Sequence, residues 1–279
     1  MSHLFESREN IVATNNLRID DIAFLICRGG WPFACSLQGD AALAQAFDYV
    51  DAVIKKDVSR VDGTNRNITT TRLLMRSYAR NQGSQATIGT IVADMMTNDE
   101  NEIGIKTAGS YLDALRKIFV IEDSEAWNPN LRSKTAIRTA NTRYFIDPSI
   151  GTAVLGLGPK DLINDLNTMG LFFETLCVRD LRIFADALDG QVFHYRDKSG
   201  LECDAVIHLR NGRYGLVEIK LGGDRLINEG ASNLLALVDK INTDKMKEPS
   251  FLMVLTGTGD FAYRRKDGVY VVPIGCLKD

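Results

Sequence analysis

Residues 201–221, which read LECDAVIHLRNGRYGLVEIKL, decide the fold of the C-terminal half because they predict two strands joined by a short turn. Successive side chains of a strand point to opposite faces. In the first strand, Asp204 points away from a small, apolar face, and in the second strand Glu218 and Lys220 share one face. Each strand therefore combines an apolar face with a face that carries charges.

The length of the turn determines whether the two charged faces coincide. A two-residue turn at Asn211-Gly212 would put Asp204 and Glu218 on opposite sides of the sheet. A three-residue loop, Arg210–Gly212, with its glycine in the left-handed conformation, sets Asp204 directly across from Glu218. Their Cβ atoms are then about 5 Å apart. A shared charged site depends on this odd-length loop.

Such a pair of carboxylates predicts a metal site, because two negative charges at that distance repel unless a positive charge lies between them. Mg²⁺ binds one or two protein carboxylates and completes its shell with water and phosphate oxygens, and Mn²⁺ could substitute for it. We therefore predict Asp204 and Glu218 as metal ligands. Lys220 would activate a metal-bound water or stabilise a phosphoryl transition state.

Glu174 completes the predicted catalytic set of Glu174, Asp204, Glu218 and Lys220. It lies in an apolar helical run, where an unpaired carboxylate is costly. We expect it to position the metal or the lysine. The alternative is a structural salt-bridge network built from the same four residues.

The elements around the hairpin predict an α/β (α+β) core with a mixed sheet. In chain order they are a helix over 162–188, strands over 191–195, 201–209 and 214–221, a helix over 226–241, and strands over 250–255 and 269–273. We predict three parts, namely a helical segment over 1–65, a winged-helix-like domain over 66–150 and a mixed-sheet domain over 151–279.

The middle part has the element order of a winged helix-turn-helix. Apolar spacing predicts helices near 73–78, 88–96 and 105–118, followed by strands at 119–121 and 143–146. The third helix would enter a DNA major groove. A solvated loop in a helical bundle that binds only protein is the alternative.

A basic loop supports DNA binding, because residues 126–146 carry four positive side chains and no acidic one, although the net charge of the chain is −3. Positive charge on a wing suits contacts to phosphate. The residues predicted to contact nucleic acid are Lys106, Arg132, Lys134, Arg138 and Arg143.

Composition sets the remaining limits. No apolar run approaches the roughly 20 residues that span a bilayer, and the first residues do not form a secretory signal. We therefore expect a cytoplasmic protein without a membrane partner. The five cysteines contain no Cys-x-x-Cys pair, so neither a zinc knuckle nor a redox motif is indicated, and we expect buried, reduced thiols.

Three segments resemble the PD-(D/E)XK nuclease superfamily, whose fold is called restriction-endonuclease-like. They are GLFFE at 170–174, YRDKSGLECD at 195–204 and VEIK at 217–220. That superfamily places a helical glutamate, a strand aspartate and a Glu-x-Lys pair around a mixed sheet. The resemblance implies a nuclease-like domain over 151–279 and Mg²⁺-dependent cleavage of phosphodiesters.

Nearly the whole chain is similar to the C-terminal part of a prokaryotic family of AAA-superfamily ATPases, which ends in a domain of unknown function. The motifs are RGGWP at 28–32, KDVS at 56–59, TAGSYL at 107–112 and YFIDP at 144–148. The resemblance implies an ATPase module in cis or in trans. The loop Gly-x₄-Gly-Lys-[Ser/Thr] does not occur, so we expect a fragment or shortened relative that is not itself the ATPase.

The resulting hypothesis is a DNA-associated module with a winged helix that holds DNA and a nuclease-like domain that cuts or grips it. The main alternative is a non-catalytic module, an inactive nuclease fold that serves recognition or oligomerisation of the ATPase. A transcription regulator that uses the winged helix alone is a third hypothesis, but it would leave the carboxylates unexplained.

Overall fold

The computed structural model describes residues 1–6, 13–96, 103–129, 140–241 and 246–278, and they form two compact units. The sheet unit comprises Met1–Ile22, Ser124–Asn141 and Cys177–Asp279, and the helical unit comprises Ala23–Asp123 and Thr142–Leu176. The predicted class, an α/β protein with a helical N-terminal part and a mixed C-terminal sheet, is confirmed. These units do not test the predicted three-part division, because both are discontinuous in sequence.

Helices dominate the first 155 residues. They are α1 (Ser2–Glu6), α2 (Ile19–Arg28), α3 (Pro32–Cys35), α4 (Gly39–Ala52), α5 (Val58–Arg60), α6 (Ile68–Arg80), α7 (Ile88–Met96), α8 (Ile105–Lys117) and α9 (Pro148–Leu155), with a π-helical turn, Val53–Asp57, between α4 and α5. Among the described residues, no helix combines the length and the apolar character needed to cross a bilayer.

The three helices predicted for the middle part are confirmed as α6, α7 and α8. Asn67 caps α6 by accepting a hydrogen bond from the backbone N–H of Thr70, and Leu74 and Tyr78 of α6 are fully buried. In place of the strands predicted after α8, the described residues form isolated bridges, among them an antiparallel one between Ile121 and Phe145. The structure therefore contains the predicted helix order but not an extended hairpin.

The Gly-Gly-Trp-Pro turn is fixed by the segment that precedes α9. Gly29 has φ +74°, and the backbone N–H of Gly30 donates to Oδ2 of Asp147 at 2.9 Å. The Trp31 indole N–H donates to Oγ of Ser149, also at 2.9 Å. Two of the family-resembling motifs therefore bind each other, which is a structural role.

The long helix predicted over 162–188 is wrong in one respect, because the chain forms two helices, α10 (Pro159–Asn164) and α11 (Leu166–Asp186). Asp165 breaks the helix with φ −132° and ψ 86°. Its carboxylate accepts hydrogen bonds from the backbone N–H groups of Asn167 and Thr168, which caps the start of α11.

The sheet has six strands, in the order β1-β2-β3-β4-β6-β5. They are β1 (Gly190–Arg196), β2 (Glu202–Leu209), β3 (Tyr214–Lys220), β4 (Phe251–Thr256), β5 (Tyr263–Arg264) and β6 (Tyr270–Pro273), with α12 (Asp224–Lys240) between β3 and β4. Strands β3, β4 and β6 are parallel, and the outer pairings are antiparallel. The short strand β5 was not predicted from the sequence.

Both outer strands have a further chain segment beside them. Ala126 bridges to His194 of β1, and the backbone N–H of Trp127 donates to the carbonyl of His194 at 2.6 Å. At the other side, Thr14 bridges to Phe261, just before β5. Segments remote in sequence therefore complete the sheet unit.

The cysteine expectation holds in part. None of the five cysteines is in a disulfide, and Cys27, Cys177 and Cys203 are buried. Burial raises the pKa of Cys27 to about 12, so this thiol stays protonated. Cys35 is exposed, which corrects the expectation of burial, because the short helix α3 presents it to solvent.

Candidate carboxylate–lysine site

The hairpin between β2 and β3 has the three-residue loop on which the predicted site depends. The backbone N–H of Leu209 donates to the carbonyl of Arg213 at 2.8 Å, and Gly212 has φ +78°. The observed register pairs Ala205 with Val217. Extending this register by one residue sets Asp204 across from Glu218, and Lys220 contacts both carboxylates, so the predicted shared face is confirmed.

Asp204, Glu218 and Lys220 form one cluster, which we call the carboxylate–lysine cluster. The ammonium of Lys220 lies 2.7 Å from Oε2 of Glu218 and 3.2 Å from Oδ2 of Asp204. Oδ2 of Asp204 also accepts the backbone N–H of Ile219 at 2.7 Å. One lysine therefore bridges two carboxylates from neighbouring strands.

The electrostatics of the cluster are dominated by the burial of Glu218, whose side chain is 2% exposed. Burial, with the charge of Asp204, raises the pKa of Glu218 to about 8, although Lys220 acts in the opposite direction. Burial lowers the pKa of Lys220, but Asp204 and Glu218 outweigh it and hold that pKa above its usual range. Lys220 is therefore cationic near neutral pH, and Glu218 takes up a proton readily.

The cluster opens into a cleft of about 160 Å³, lined by Gly200, Leu201, Glu202, Asp204, Glu218, Lys220 and Asn233. Oε1 of Glu218 is buried and makes no hydrogen bond within the described part of the chain. A side-chain hydrogen bond from Asn233 to the carboxyl group of Glu218 lowers its pKa. A buried carboxylate oxygen without a partner is costly, so the cleft contains a place for a positive or hydrogen-bonding group.

Gly230 of α12 allows the helix to lie close to the cluster. A Cβ atom at this position would be 3.2 Å from Cβ of Glu218 and 3.4 Å from a methyl group of Val254. The absence of a side chain at Gly230 therefore lets α12 cover Glu218. Sequence reasoning missed Gly230 and Asn233, since a glycine and an amide inside a helix carry no pattern of their own.

The donor set fits a divalent cation that needs few protein ligands. In the described ranges, no group of three or more His, Cys, Asp or Glu side chains is arranged to hold a metal ion. Two carboxylates are nevertheless enough for Mg²⁺, which keeps several waters and uses phosphate oxygens of a substrate. The residues that could hold such a cation are Asp204 and Glu218, and Oε1 of Glu218 is the oxygen left unsatisfied.

Glu174 belongs to the helical unit, whereas the other three predicted site residues belong to the sheet unit. Its Oε1 accepts a hydrogen bond from the hydroxyl of Tyr144 at 2.5 Å, and its carboxylate lies against Gly83. The partner expected for this acid was a metal or Lys220, whereas the hydrogen bond that the structure gives it comes from Tyr144. Its role at a metal stays a prediction.

The turn at 197–201 precedes β2, and its residues Gly200 and Leu201 line the cleft. Asp197 accepts the backbone N–H of Ser199 at 2.8 Å and binds the ammonium of Lys240 at 2.7 Å. The contact with Lys240 holds the pKa of Asp197 below its usual range. Asp197 therefore shapes the turn that leads into β2, a structural role.

The residues predicted to contact nucleic acid have different positions. Lys106 is exposed at the start of α8. The guanidinium of Arg143 binds Asp123 at 2.6 Å, and its side chain is 12% exposed, which ties it to the fold of the helical unit. Arg132, Lys134 and Arg138 lie outside the described residues.

The geometry defines a mixed α/β protein with a carboxylate–lysine cluster at the end of a parallel strand. The family model described as domain of unknown function DUF8612 matches residues 19–161, more than half of the chain, so the chain belongs to this family. A second model, domain of unknown function DUF4143, matches residues 169–277. DUF4143 is often found in AAA-ATPase-associated proteins. No curated protein matches the chain.

Proposed function

We propose that this protein is a DNA-associated module with a Mg²⁺-dependent phosphodiester-cleaving site at the carboxylate–lysine cluster. The carrying observation is the buried, unsatisfied Oε1 of Glu218 beside Asp204, in a cleft of about 160 Å³. Asp204 and Glu218 would hold the metal, which supplies charge neutralisation at a phosphate and lowers the pKa of bound water.

Lys220 has an electrostatic role in this proposal. Its raised pKa keeps the ammonium charged, so it donates hydrogen bonds and does not serve as a general base. It holds both carboxylates in place and would stabilise the negative charge that develops on phosphate oxygens. The proton that leaves the attacking water therefore needs another acceptor than Lys220.

The partner of the module is proposed to be an AAA-type ATPase, in cis or in trans. The DUF4143 match supports this association, because that domain is often found in AAA-ATPase-associated proteins. The helix order α6–α8, with Lys106 exposed at the start of α8, supports DNA contact by the helical unit.

Purified protein should cleave DNA in Mg²⁺ or Mn²⁺, with single- and double-stranded substrates tested separately. Lys220→Ala and Asp204→Asn should abolish cleavage, whereas Asp239→Asn, an exposed change on α12, should not. Circular dichroism melting shows that each variant is folded. Absence of both cleavage and DNA binding in the wild type, with either metal, would overturn the proposal.

A non-catalytic recognition or oligomerisation module is the second candidate, and one observation favours it. Lys220 already neutralises part of the charge on Asp204 and Glu218, so the cluster is partly compensated without a cation. This candidate requires that calorimetry detect no Mg²⁺ or Mn²⁺ binding. It also requires that Lys220→Ala reduce stability without any change in an activity.

A further inference from the structure

Two exposed aromatic side chains lie together at the β5 edge of the sheet. Phe261 is 57% exposed and Tyr263 is 38% exposed, and their ring centroids are 5.9 Å apart with 59° between the ring planes. Single exposed apolar residues need no explanation. Two adjacent aromatic rings in solvent do, because burying their large apolar area would be favourable. We call Phe261 and Tyr263 the aromatic pair.

The backbone under the aromatic pair is held in place on both sides. Tyr263 pairs with Val271 of β6, and Phe261 bridges to Thr14. The backbone N–H of Ala262 also donates to the carbonyl of Ala13 at 2.9 Å. The rings are therefore displayed from a hydrogen-bonded segment and not from a loop that must be ordered on binding.

The aromatic pair shares a sheet face with the carboxylate–lysine cluster. Glu218 pairs with Val254, Val254 with Val271, and Val271 with Tyr263, so these four residues form one row across the sheet. Directly paired residues point to the same face, and three strand spacings amount to about 14 Å.

The charges beside the aromatic pair favour an anionic ligand. Lys266 is exposed and has no ion pair or hydrogen bond within the described ranges of the chain. Arg264 is exposed and lies over the Tyr270 ring, 5.3 Å from its centroid. Two carboxylates lie in this segment. Asp267 is bound by Arg265 at 3.0 Å, so its charge is compensated, and Asp260 directly precedes Phe261.

We propose that the aromatic pair is a stacking platform for unpaired bases of single-stranded DNA, with Lys266 contacting the phosphate backbone. Every base has a flat face, so two rings beside a cation bind single strands without reading their sequence. A duplex would not suit the rings, because its bases are already stacked on each other. The choice of DNA rests on the proposed function, whereas stacking on the rings needs no metal.

The test is fluorescence anisotropy of a labelled oligothymidine in EDTA, which separates binding from cleavage. We expect Phe261→Ala and Tyr263→Ala each to weaken binding by about 5- to 150-fold. Phe33→Ala is the matched control, because Phe33 is 66% exposed but lies on α3, which is not one of the helices α6–α8 proposed to contact DNA. Lys266→Ala should lower the slope of log affinity against log salt by about 0.7.

Four outcomes would overturn the platform. They are no binding by the wild type, a double variant within twofold of the wild type, an equal loss in Phe33→Ala, and equal affinity for a duplex of the same length. Tighter binding of an oligouridine than of the oligothymidine would assign the surface to RNA. If the wild type is a dimer and the double variant is a monomer, the surface is a contact between copies of the chain. If the wild type binds the oligothymidine but cleaves no DNA, the proposed cleavage site is overturned and the stacking platform stands.

Discussion

The ammonium of Lys220 lies 2.7 Å from Oε2 of Glu218, and both side chains project from the same face of β3. Removing one member of a buried ion pair costs about 3–5 kcal/mol because the other charge is left unpaired. If Lys220 is removed, Glu218 can also become neutral, because its pKa is raised to about 8. The net charge of the cluster therefore depends on pH.

Replacing Glu218 by Gln should remove a pH dependence of stability. The pKa of this carboxyl group is about 8 in the folded chain and 4.5 in its ordinary state. Between these values folding takes up a proton, so the free energy of unfolding falls as pH rises, by at most about 1.4 kcal/mol per pH unit. Urea titrations from about pH 5 to about pH 8 should show the wild type losing stability relative to Glu218→Gln. Parallel curves for the two proteins would contradict the raised pKa.

Divalent cations should raise the melting temperature, because a ligand that binds only the folded chain stabilises it by mass action. Metal must displace the proton of Glu218, so the affinity should increase about tenfold per pH unit up to about pH 8. Asp204→Asn should lose the shift and Asp239→Asn should keep it, as measured by differential scanning fluorimetry. A shift that survives Asp204→Asn would place the cation elsewhere.

Gly230→Ala and Gly109→Ala should change stability in opposite directions. Both glycines lie inside helices, and alanine there gains about 0.5–1 kcal/mol from helix propensity. At Gly109 the nearest atom to an added Cβ is 3.8 Å away, so we expect the full gain. At Gly230 the new methyl group meets Glu218 at 3.2 Å, and overpacking costs about 1–3 kcal/mol.

Chemical denaturation of the two helix variants measures this difference directly. A stabilised Gly230→Ala protein would mean that α12 can move away from β3. In that case the cleavage rate of the variant becomes the informative measurement.

Gly29→Ala should destabilise the helical unit more than Gly63→Ala. Both glycines have positive φ, +74° and +71°, and a left-handed alanine costs about 1–2 kcal/mol. Only at Gly29 would the added Cβ collide with Ser149 and Asp147, whereas open space surrounds it at Gly63. Thermal unfolding should show the additional loss. Equal losses would show that the Asp147 segment moves aside.

The sequence was informative where a physical rule is strict. Alternation along a strand has a period of two, so one glycine in the left-handed conformation, Gly212, was enough to place Asp204 across from Glu218. Apart from β5 and the break between α10 and α11, the helix and strand order of the C-terminal half followed from apolar spacing. The start of α11 also carried a signal, because aspartate is a preferred N-cap residue and Asp165 caps this helix, although continuous apolar spacing concealed it.

Contacts between elements distant in the chain could not be read from the sequence. The hydrogen bond between Tyr144 and Glu174 joins two segments that no local pattern relates. Asn233 reaches the cleft only because α12 crosses β3 at Gly230. Such relationships depend on packing angles between elements, and packing angles are set by many side chains together.

The segments beside β1 and β5 have a practical consequence for any shortened form of the protein. Ala126 and Thr14, which bridge to the two sides of the sheet, both precede the DUF4143 match at 169–277. A protein cut to that match would lose both bridges and leave backbone N–H and C=O groups unpaired at the two outer sides of the sheet, where other molecules can pair with them. We expect such a fragment to aggregate more readily than the full chain.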